Sequence, residues 1–358
     1  MKELNYLDFT NRIVKTRQRR PLYGQIELTS RCGYSCIHCY CNTKPREELS
    51  LELWKDILSQ ILDLGGIEIT FTGGEPLRYP GFAELYTFAK EKGFLVTLFS
   101  SGYDFNRKML EFFKVNPPLC IEITLNSLKE DVYERIVKVK GAFKTAMNNI
   151  YAVKKAGLPL VLKCNAFKEN KDEILDIKKF AEQLLGPGKF RFDPLVYSCA
   201  AKCGSANGGY RLSPDEIIDI ESKDADMRAQ WMNRLSHQSS LFNPRGLYHC
   251  NSWLTFFYIN PQGILQFCHL SQKYSADLRY KPFREGFDKF ILLLEQRYKS
   301  GSRCSDCEYR HYCYNCPARA FLETGDEESE VEYYCRFAKA AKDYMDRIKD
   351  QNETAQPT

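Results

Sequence analysis

The sequence predicts an α/β fold, a partial (β/α)6 TIM-like barrel with an open side, followed by a small cysteine-rich C-terminal extension. Six short runs typical of buried strands alternate with longer runs of helical periodicity, and the alternation stops after residue 195. Six strand–helix units are fewer than the eight of a closed barrel, so we expect a gap in the wall. Cysteines return from Cys250 onward, and they mark the extension.

Apolar runs bounded by glycine and polar residues predict the six strands, at 24–30, 67–71, 94–100, 120–126, 158–167 and 189–195. Helical periodicity predicts the intervening helices, at 49–65, 79–93, 106–114, from the fourth strand to about residue 156, and at 171–186. Beyond the barrel we expect helices near 213–222, 226–235, 284–299 and 330–349. Between them we expect a hairpin over 253–269 that turns at Asn260-Pro261-Gln262-Gly263.

These elements divide the chain into five segments: an N-terminal segment 1–23, the barrel 24–195, a linker 196–248, the cysteine-rich domain 249–340 and a C-terminal helix end and tail 341–358. The first segment is basic but lacks the apolar core of a signal peptide. No apolar run approaches the length of a membrane span. The sequence therefore predicts a cytoplasmic protein that is not bound to a membrane.

The chain contains 15 cysteines, which is a surplus for a cytoplasmic protein. Disulfides are rare in that compartment, so metal or redox chemistry is the better explanation. Cys120 and Cys164 lie within predicted strands and are expected to be small buried residues. The formal net charge of +5 omits the charge of metal-bound thiolates, and the basic residues are dispersed, so nucleic acid is an unlikely partner.

The first cysteine set is Cys32, Cys36 and Cys39, spaced C-x3-C-x2-C directly after the first strand. Parallel barrels place their chemistry at this carboxyl end of the strands. Three thiolates on one loop hold one face of a [4Fe–4S] cluster and leave one iron open to a substrate or cosubstrate. The alternative, a zinc site, requires His38 or Cys41 as a fourth ligand. We expect His38 to pack near the cluster and Cys41 to have no role.

This loop, together with "TFTGGEPL" (70–77) at the end of the second strand, resembles the radical S-adenosylmethionine (SAM) enzymes over residues 24–195. The resemblance implies SAM bound at the open iron, reductive cleavage to a 5′-deoxyadenosyl radical, and abstraction of a substrate hydrogen atom. It places Gly73, Gly74 and Glu75 at the SAM amino group. It places Thr124 at the ribose and Arg135 at the carboxylate. "LFSSGYDF" (98–105) matches the family's Thr-Asn-Gly turn only loosely.

The second cysteine set resembles the SPASM extension of radical SAM enzymes, which carries two auxiliary iron–sulfur clusters. The resemblance assigns one group to the distal cluster: Cys304, Cys307, Cys313 and Cys335. It assigns another to the proximal cluster: Cys250, Cys268 and Cys316. The proximal cluster is one ligand short, which leaves two alternatives. Its fourth iron stays open, or it binds one of four candidates: Cys199, Cys203, His249 and His269. The spacing C-x2-C before Cys316 is one residue shorter than the family's, and a zinc ribbon from Cys304, Cys307, Cys313 and Cys316 remains an alternative.

SPASM-bearing enzymes mostly modify peptides or proteins, so the resemblance implies a maturase of ribosomally made peptides that forms a crosslink or thioether, or epimerises a residue. It implies a flavodoxin- or ferredoxin-type electron donor. Only 23 residues precede the first predicted strand, too few for a winged-helix domain that grips a leader peptide. We therefore expect recognition by the barrel's open side, the linker or a separate leader-binding protein.

Three other functions compete with peptide maturation. Sulfatase maturation is disfavoured because His269, and not an aspartate, follows Cys268. A radical SAM enzyme acting on a small molecule remains open. A non-catalytic iron–sulfur electron carrier or scaffold also remains open, although such a protein has no use for a GGEP segment.

Overall fold

The computed structural model describes residues 19–39, 47–196, 209–231, 246–250, 252–271 and 273–354. The predictions for Cys41, Cys199, Cys203 and much of the 196–248 linker lie outside these residues. The chain separates into two compact units. The first comprises the chain up to Asn165, Asp176–Asp193 and Asn251–Leu292, and the second comprises Ala166–Leu175, Pro194–Cys250 and Leu293–Thr358.

All six predicted barrel strands are present in the first unit, and they are parallel neighbours in chain order. They are β1 Tyr23–Thr29, β2 Glu68–Gly73, β3 Leu95–Ser100, β4 Cys120–Thr124, β5 Leu160–Asn165 and β6 Phe190–Asp193. Helices α1–α6 connect them, at Leu51–Asp63, Phe82–Glu91, Arg107–Val115, Glu130–Val137, Ala142–Lys155 and Ile174–Leu185. The sheet does not close on itself, so the prediction of a partial barrel is confirmed.

Local signals account for these helices. Ser50 and Asn106 precede α1 and α3, and their side chains accept hydrogen bonds from the amides of Leu53 and Met109. The buried residues of α1 recur at helical spacing and form one apolar stripe, made of Trp54, Ile57, Leu58 and Ile61. Helix α1 therefore buries one face only.

The two faces of the sheet differ in chemistry, because successive side chains of a strand point to opposite sides. One face is apolar and inaccessible to solvent, and it includes Ile26, Ile69, Phe71, Val96, Leu98, Ile121, Ile123, Leu162 and Cys164. The other is polar although mostly buried, and it includes Glu27, Thr70, Thr72, Thr97 and Glu122. Cys164 is buried as predicted, whereas Cys120 is only half-buried and belongs to the polar face. The polar face is the one available for a site.

The predicted C-terminal hairpin extends the barrel sheet, which the sequence did not indicate. Strands β7 Phe256–Ile259, β8 Ile264–Gln266 and β9 Ala276–Asp277 continue the sheet beyond β1. β7 runs parallel to β1 with Phe257 opposite Gly24, where a Cβ atom would lie 2.3 Å from the Phe257 ring. The predicted turn is present, and Asn260 Oδ1 accepts from the amides of Gln262 and Ile264, both at 3.0 Å.

Helices α7–α11 are Pro214–Ser222, Ser252–Thr255, Phe283–Asp288, Pro317–Thr324 and Glu332–Thr354. A capping box of Ser213 and Glu216 begins α7, which packs against α11 in the second unit. Two predictions need correction. The hairpin's first residues form α8, and the helix expected at 284–299 is α9 followed by a 3₁₀ segment Lys289–Leu294. The helix expected at 226–235 is present over 225–231, and its remaining residues lie outside the described ranges. No helix in the described ranges is both long and apolar enough to cross a membrane.

Candidate active site and metal centres

Backbone hydrogen bonds join the loop that carries Cys32, Cys36 and Cys39 to the C-terminal end of α4. The amide of Ser35 donates to Val137 O at 3.0 Å, and the amide of Ile37 donates to Ile136 O at 3.0 Å. The last carbonyls of a helix have no partner within the helix. The cysteine loop therefore satisfies groups that would otherwise need water, and its path is fixed by α4.

Tyr34 anchors the same loop in the protein interior. It is buried, and its ring meets those of Tyr103 and Tyr133 edge to face, with centroids 5.2 and 6.3 Å away. The Tyr133 hydroxyl donates to the Tyr34 hydroxyl at 3.3 Å. Burial raises the pKa of both phenols, so they stay neutral. Three aromatic rings thus hold the loop against β3 and α4.

The thiols of this loop lie close to a carboxylate. Burial raises the pKa of Cys32 to about 11, and the negative charges of Glu75 and Cys39 add to that effect. The amide of Tyr34 donates to Cys32 Sγ at 3.4 Å, and this hydrogen bond lowers the pKa of Cys32. Because iron binds the thiolate, cluster assembly here must displace a proton from Cys32.

The described part of this loop offers three thiols as donors. Among the described residues, no three His, Cys, Asp or Glu side chains lie close enough together to share one metal ion. A cubane cluster binds each thiolate to a different iron and therefore needs more widely spaced ligands than one ion does. The donor set of Cys32, Cys36 and Cys39 fits such a cluster.

Gly73 and Gly74 allow β2 to end directly against the cysteine loop. The amide of Gly74 donates to Thr29 O, and the amide of Glu75 donates to Arg31 O, both at 2.8 Å. A Cβ atom on Gly74 would lie 2.5 Å from Arg31 O, and one on Gly73, whose φ is +137°, would lie 2.4 Å from Thr29 O. The close approach that these glycines permit is thus to the protein's own backbone. Their contact with SAM stays a prediction.

Gly74→Ala is expected to destabilise the fold, because the new methyl group overlaps backbone atoms that cannot rotate away. Overpacking of this kind costs roughly 1–3 kcal/mol, and thermal unfolding of the metal-free protein measures it. Gly209→Ala is the control, since a Cβ atom there meets nothing within 4 Å. Equal melting temperatures for the two variants would show that the loop relaxes freely.

Glu75 is the most constrained acid of the site. It is fully buried, and Oε2 accepts from Ser100 Oγ at 2.8 Å, Ser101 Oγ at 2.6 Å and the Ser101 amide at 2.9 Å. Burial raises its pKa and the Asp104 charge adds to this, while the hydrogen bonds lower it. The result is a carboxylate held rigidly beside the cysteine loop, and its burial favours pairing with a cation.

Sequence reasoning missed the role of Ser100 and Ser101, although the "SSG" at the end of β3 was an available signal. The turn that follows them is also fixed. Asn149 Nδ2 of α5 donates to Gly102 O at 2.8 Å and to Tyr103 O at 3.0 Å. The donors to Glu75 therefore come from a supported turn.

Thr124 and Arg135 differ in their placement. Thr124 ends β4, is half-buried and lies in register with Lys163 of β5. Arg135 is exposed on α4 and forms an ion pair with Asp131 at 2.6 Å. The roles proposed for both toward SAM stay predictions, and for Arg135 the ion pair must open first.

The polar face carries charged residues at β4–β6 that the sequence analysis did not single out. Lys163 and Asp193 form an ion pair at 3.4 Å, and Arg191 donates to Glu122 at 3.0 Å. His38 of the cysteine loop approaches this group, with Nε2 at 3.4 Å from Asn165 Nδ2. Burial lowers the pKa of His38 to about 4, so the ring is neutral.

Five cysteines of the second set line a cavity of about 470 Å³ in the second unit. The cavity is lined by all four cysteines assigned to the distal cluster and by Cys316, that is, by Cys304, Cys307, Cys313, Cys316 and Cys335. Burial raises the pKa of Cys313 to about 12, and the neighbouring thiols Cys335, Cys304 and Cys307 add to it. These thiols are therefore mutual neighbours, as one cluster requires.

The proximal set is less complete. Cys316 lies at the N-terminus of α10 and lines the cavity, while Cys250 is exposed and Cys268 is half-buried. His249, next to Cys250, also lines the cavity, and burial lowers its pKa to about 4. The grouping of Cys250, Cys268 and Cys316 stays a prediction.

This chain is similar in sequence to a protein family and to individual proteins. Residues 26–181 match the family model described as the radical SAM superfamily. The sporulation killing factor maturation protein SkfB of Bacillus subtilis is 27% identical over 260 residues, which are 70% of this chain and 60% of SkfB. The AdoMet-dependent heme synthase of Methanosarcina barkeri is 21% identical over 352 residues, which are 88% of this chain and 96% of that protein.

The fold has solved counterparts. Streptococcus suis SuiB, in a crystal structure bound to precursor peptide SuiA, matches with a TM-score of 0.67 at 15% identity, over 92% of this chain and 80% of SuiB. Identity this low shows a shared fold. The matched model, the thiolate loop and the buried Glu75 all lie in the barrel, and the C-terminal cysteine-rich region fits the SPASM type. Residues 26–181 of this chain therefore form a radical SAM domain.

Proposed function

We propose that this radical SAM enzyme modifies a peptide or protein substrate, and that Glu75 binds the ammonium group of SAM. One observation carries the SAM site: a fully buried carboxylate with four hydrogen-bond donors beside a three-thiolate loop. When bound, a reduced [4Fe–4S] cluster supplies the electron that breaks the C5′–S bond of SAM.

The chain's own residues would bind the cluster and orient SAM. Cys32, Cys36 and Cys39 would hold three irons, and α4 and Tyr34 keep their loop in place. Glu75 would pair with the ammonium, which keeps the carboxylate ionised despite its burial. Thr124 is proposed to meet the ribose. The polar face would line the substrate side, where Lys163, Asp193, Arg191 and Glu122 offer both signs of charge.

Two relatives support a peptide substrate. SkfB is named as a maturation protein, and SuiB was crystallised with a precursor peptide. The alignment covers 60% of SkfB, so its activity comes to this chain only as a proposal. A flavodoxin- or ferredoxin-type donor, a separate leader-binding protein and a cytoplasmic location belong to the same proposal.

The second candidate is a tetrapyrrole substrate. The relative named as a heme synthase aligns along 96% of its own length and 88% of this chain, so the alignment extends beyond the barrel. One assay distinguishes a peptide substrate from a tetrapyrrole substrate. We expect reconstituted enzyme, SAM and dithionite to release 5′-deoxyadenosine, and a short peptide encoded beside the gene to change mass in parallel. Turnover of an iron porphyrin and no change in any such peptide would favour the second candidate.

The pH dependence of SAM binding tests the bonds to Glu75. Binding of the ammonium requires ionised Glu75, so affinity should fall as pH drops through the raised pKa of that group. Ser101 donates to Glu75 and lowers this pKa. Ser101→Ala is therefore expected to move the midpoint of the SAM binding curve to higher pH, measured by isothermal titration calorimetry.

The control is Ser59→Ala, whose hydroxyl bonds to Lys55 O within α1. It should leave the midpoint unchanged. Identical pH profiles for the Ser101 variant and the unmodified enzyme would contradict a role for Ser101 in holding the carboxylate.

A further inference from the structure

A histidine, His249, lines the cavity of the second unit together with its cysteines. Four of its cysteines suffice for a cubane with thiolates on every iron: Cys304, Cys307, Cys313 and Cys335. Cys316 and His249 line the same cavity and remain outside this set. Imidazole nitrogen and thiolate sulfur are both iron ligands in iron–sulfur proteins.

The imidazole of His249 is oriented by its own backbone. Nδ1 lies 3.2 Å from Leu247 O. A carbonyl oxygen only accepts, so Nδ1 carries the proton and donates, and in the neutral ring Nε2 holds the lone pair. Histidines that ligate metals characteristically donate their other ring N–H to a carbonyl or carboxylate, which fixes the tautomer. His249 shows that arrangement at the wall of a cysteine-lined cavity.

The segment that carries His249 is held firmly. Gly246 pairs with Arg297 as a bridge, and the amide of Leu247 donates to Gln296 O at 3.0 Å. Tyr248 is buried and its hydroxyl donates to Glu327. Arg310 Nη2 donates to Gly246 O at 3.3 Å. A ligand on this segment is therefore positioned before any cluster is present.

We propose that His249 binds iron through Nε2 as a ligand of the auxiliary cluster that includes Cys316. The proposal rests on the proposed presence of auxiliary clusters, but not on the identity of the substrate. Neutral imidazole in place of a thiolate reduces the negative charge of the cluster by one, and imidazole ligation raises reduction potentials relative to all-thiolate ligation. His249 would therefore make this cluster the easier of the two auxiliary clusters to reduce.

The test is pulsed electron paramagnetic resonance on the full-length Cys32→Ala, Cys36→Ala, Cys39→Ala variant. That variant removes the first cluster and leaves the auxiliary clusters to be observed. Protein grown with ¹⁵N-histidine is reconstituted and reduced. We expect a nitrogen hyperfine coupling on one cluster, lost in His249→Ala and retained in His269→Ala, the matched control at the other histidine considered.

His249→Cys is the second variant, because it supplies a replacement ligand where alanine supplies none. It should keep the full iron content, lose the nitrogen coupling and shift one midpoint potential to a more negative value. Absence of nitrogen coupling in the starting protein overturns the proposal, as does its loss in His269→Ala. Iron content near zero in the variant that lacks Cys32, Cys36 and Cys39 would instead contradict the auxiliary clusters themselves. In that case, 5′-deoxyadenosine release by the unmodified enzyme would still report on SAM cleavage.

Discussion

Replacing Cys32, Cys36 and Cys39 together by alanine is expected to abolish SAM cleavage and to remove about four of roughly eleven to twelve iron atoms. These thiols lie on the loop that follows β1, and Cys32 is electrostatically coupled to both Cys39 and Glu75. Without them no iron is held where SAM would bind. The measurements are iron content after anaerobic reconstitution and release of 5′-deoxyadenosine.

Two variants serve as controls. Cys120→Ala removes a half-buried cysteine at the start of β4 and should leave iron content unchanged. Cys304→Ala with Cys307→Ala should remove a different third of the iron, because both line the cavity of the second unit. SAM cleavage retained by the triple variant would show that the first loop is not the site, and stoichiometric zinc with little iron would contradict the cluster assignment altogether.

Glu75→Gln is expected to weaken SAM binding by roughly 100-fold, or about 3 kcal/mol, because it leaves a desolvated ammonium without its counter-charge. The substitution nearly keeps the shape of the side chain, removes its charge and replaces one acceptor oxygen by an NH2 group. Isothermal titration with SAM measures the effect. Glu84→Gln is the matched control, since Glu84 is exposed on α2 and pairs with Lys55 at 2.6 Å.

The stability of the same variant separates binding from folding. Burial raises the pKa of Glu75 in the folded protein, so ionisation of this group opposes folding as pH rises through that pKa. A glutamine cannot ionise. At neutral pH and without SAM, Glu75→Gln is therefore expected to melt no lower than the unmodified protein, by scanning calorimetry. A large loss of stability together with the loss of SAM binding would mean that Glu75 supports the fold, and the binding role would lose its support.

The sequence by itself determined the barrel and the presence of the two cysteine sets. Strand–helix alternation is a local property, written in apolar runs and in glycine and cap residues such as Ser50 and Asn106, so all six strands were predictable. Cysteine spacing is likewise local. Thiolates that bind one cluster from one loop must be neighbours in the chain, and Cys32, Cys36 and Cys39 are.

Only the tertiary structure decided which distant residues meet. The backbone bonds from the cysteine loop to α4 and β2, and those from Ser100 and Ser101 to Glu75, join segments far apart in sequence. The pairing of β7 with β1 depends on Gly24 leaving room for the Phe257 ring, which no local pattern indicates. The meeting of His249 with Cys304 and Cys316 in one cavity has the same origin. Such contacts are set by packing across the whole chain, because periodicity reports which face of an element is buried and not what buries it.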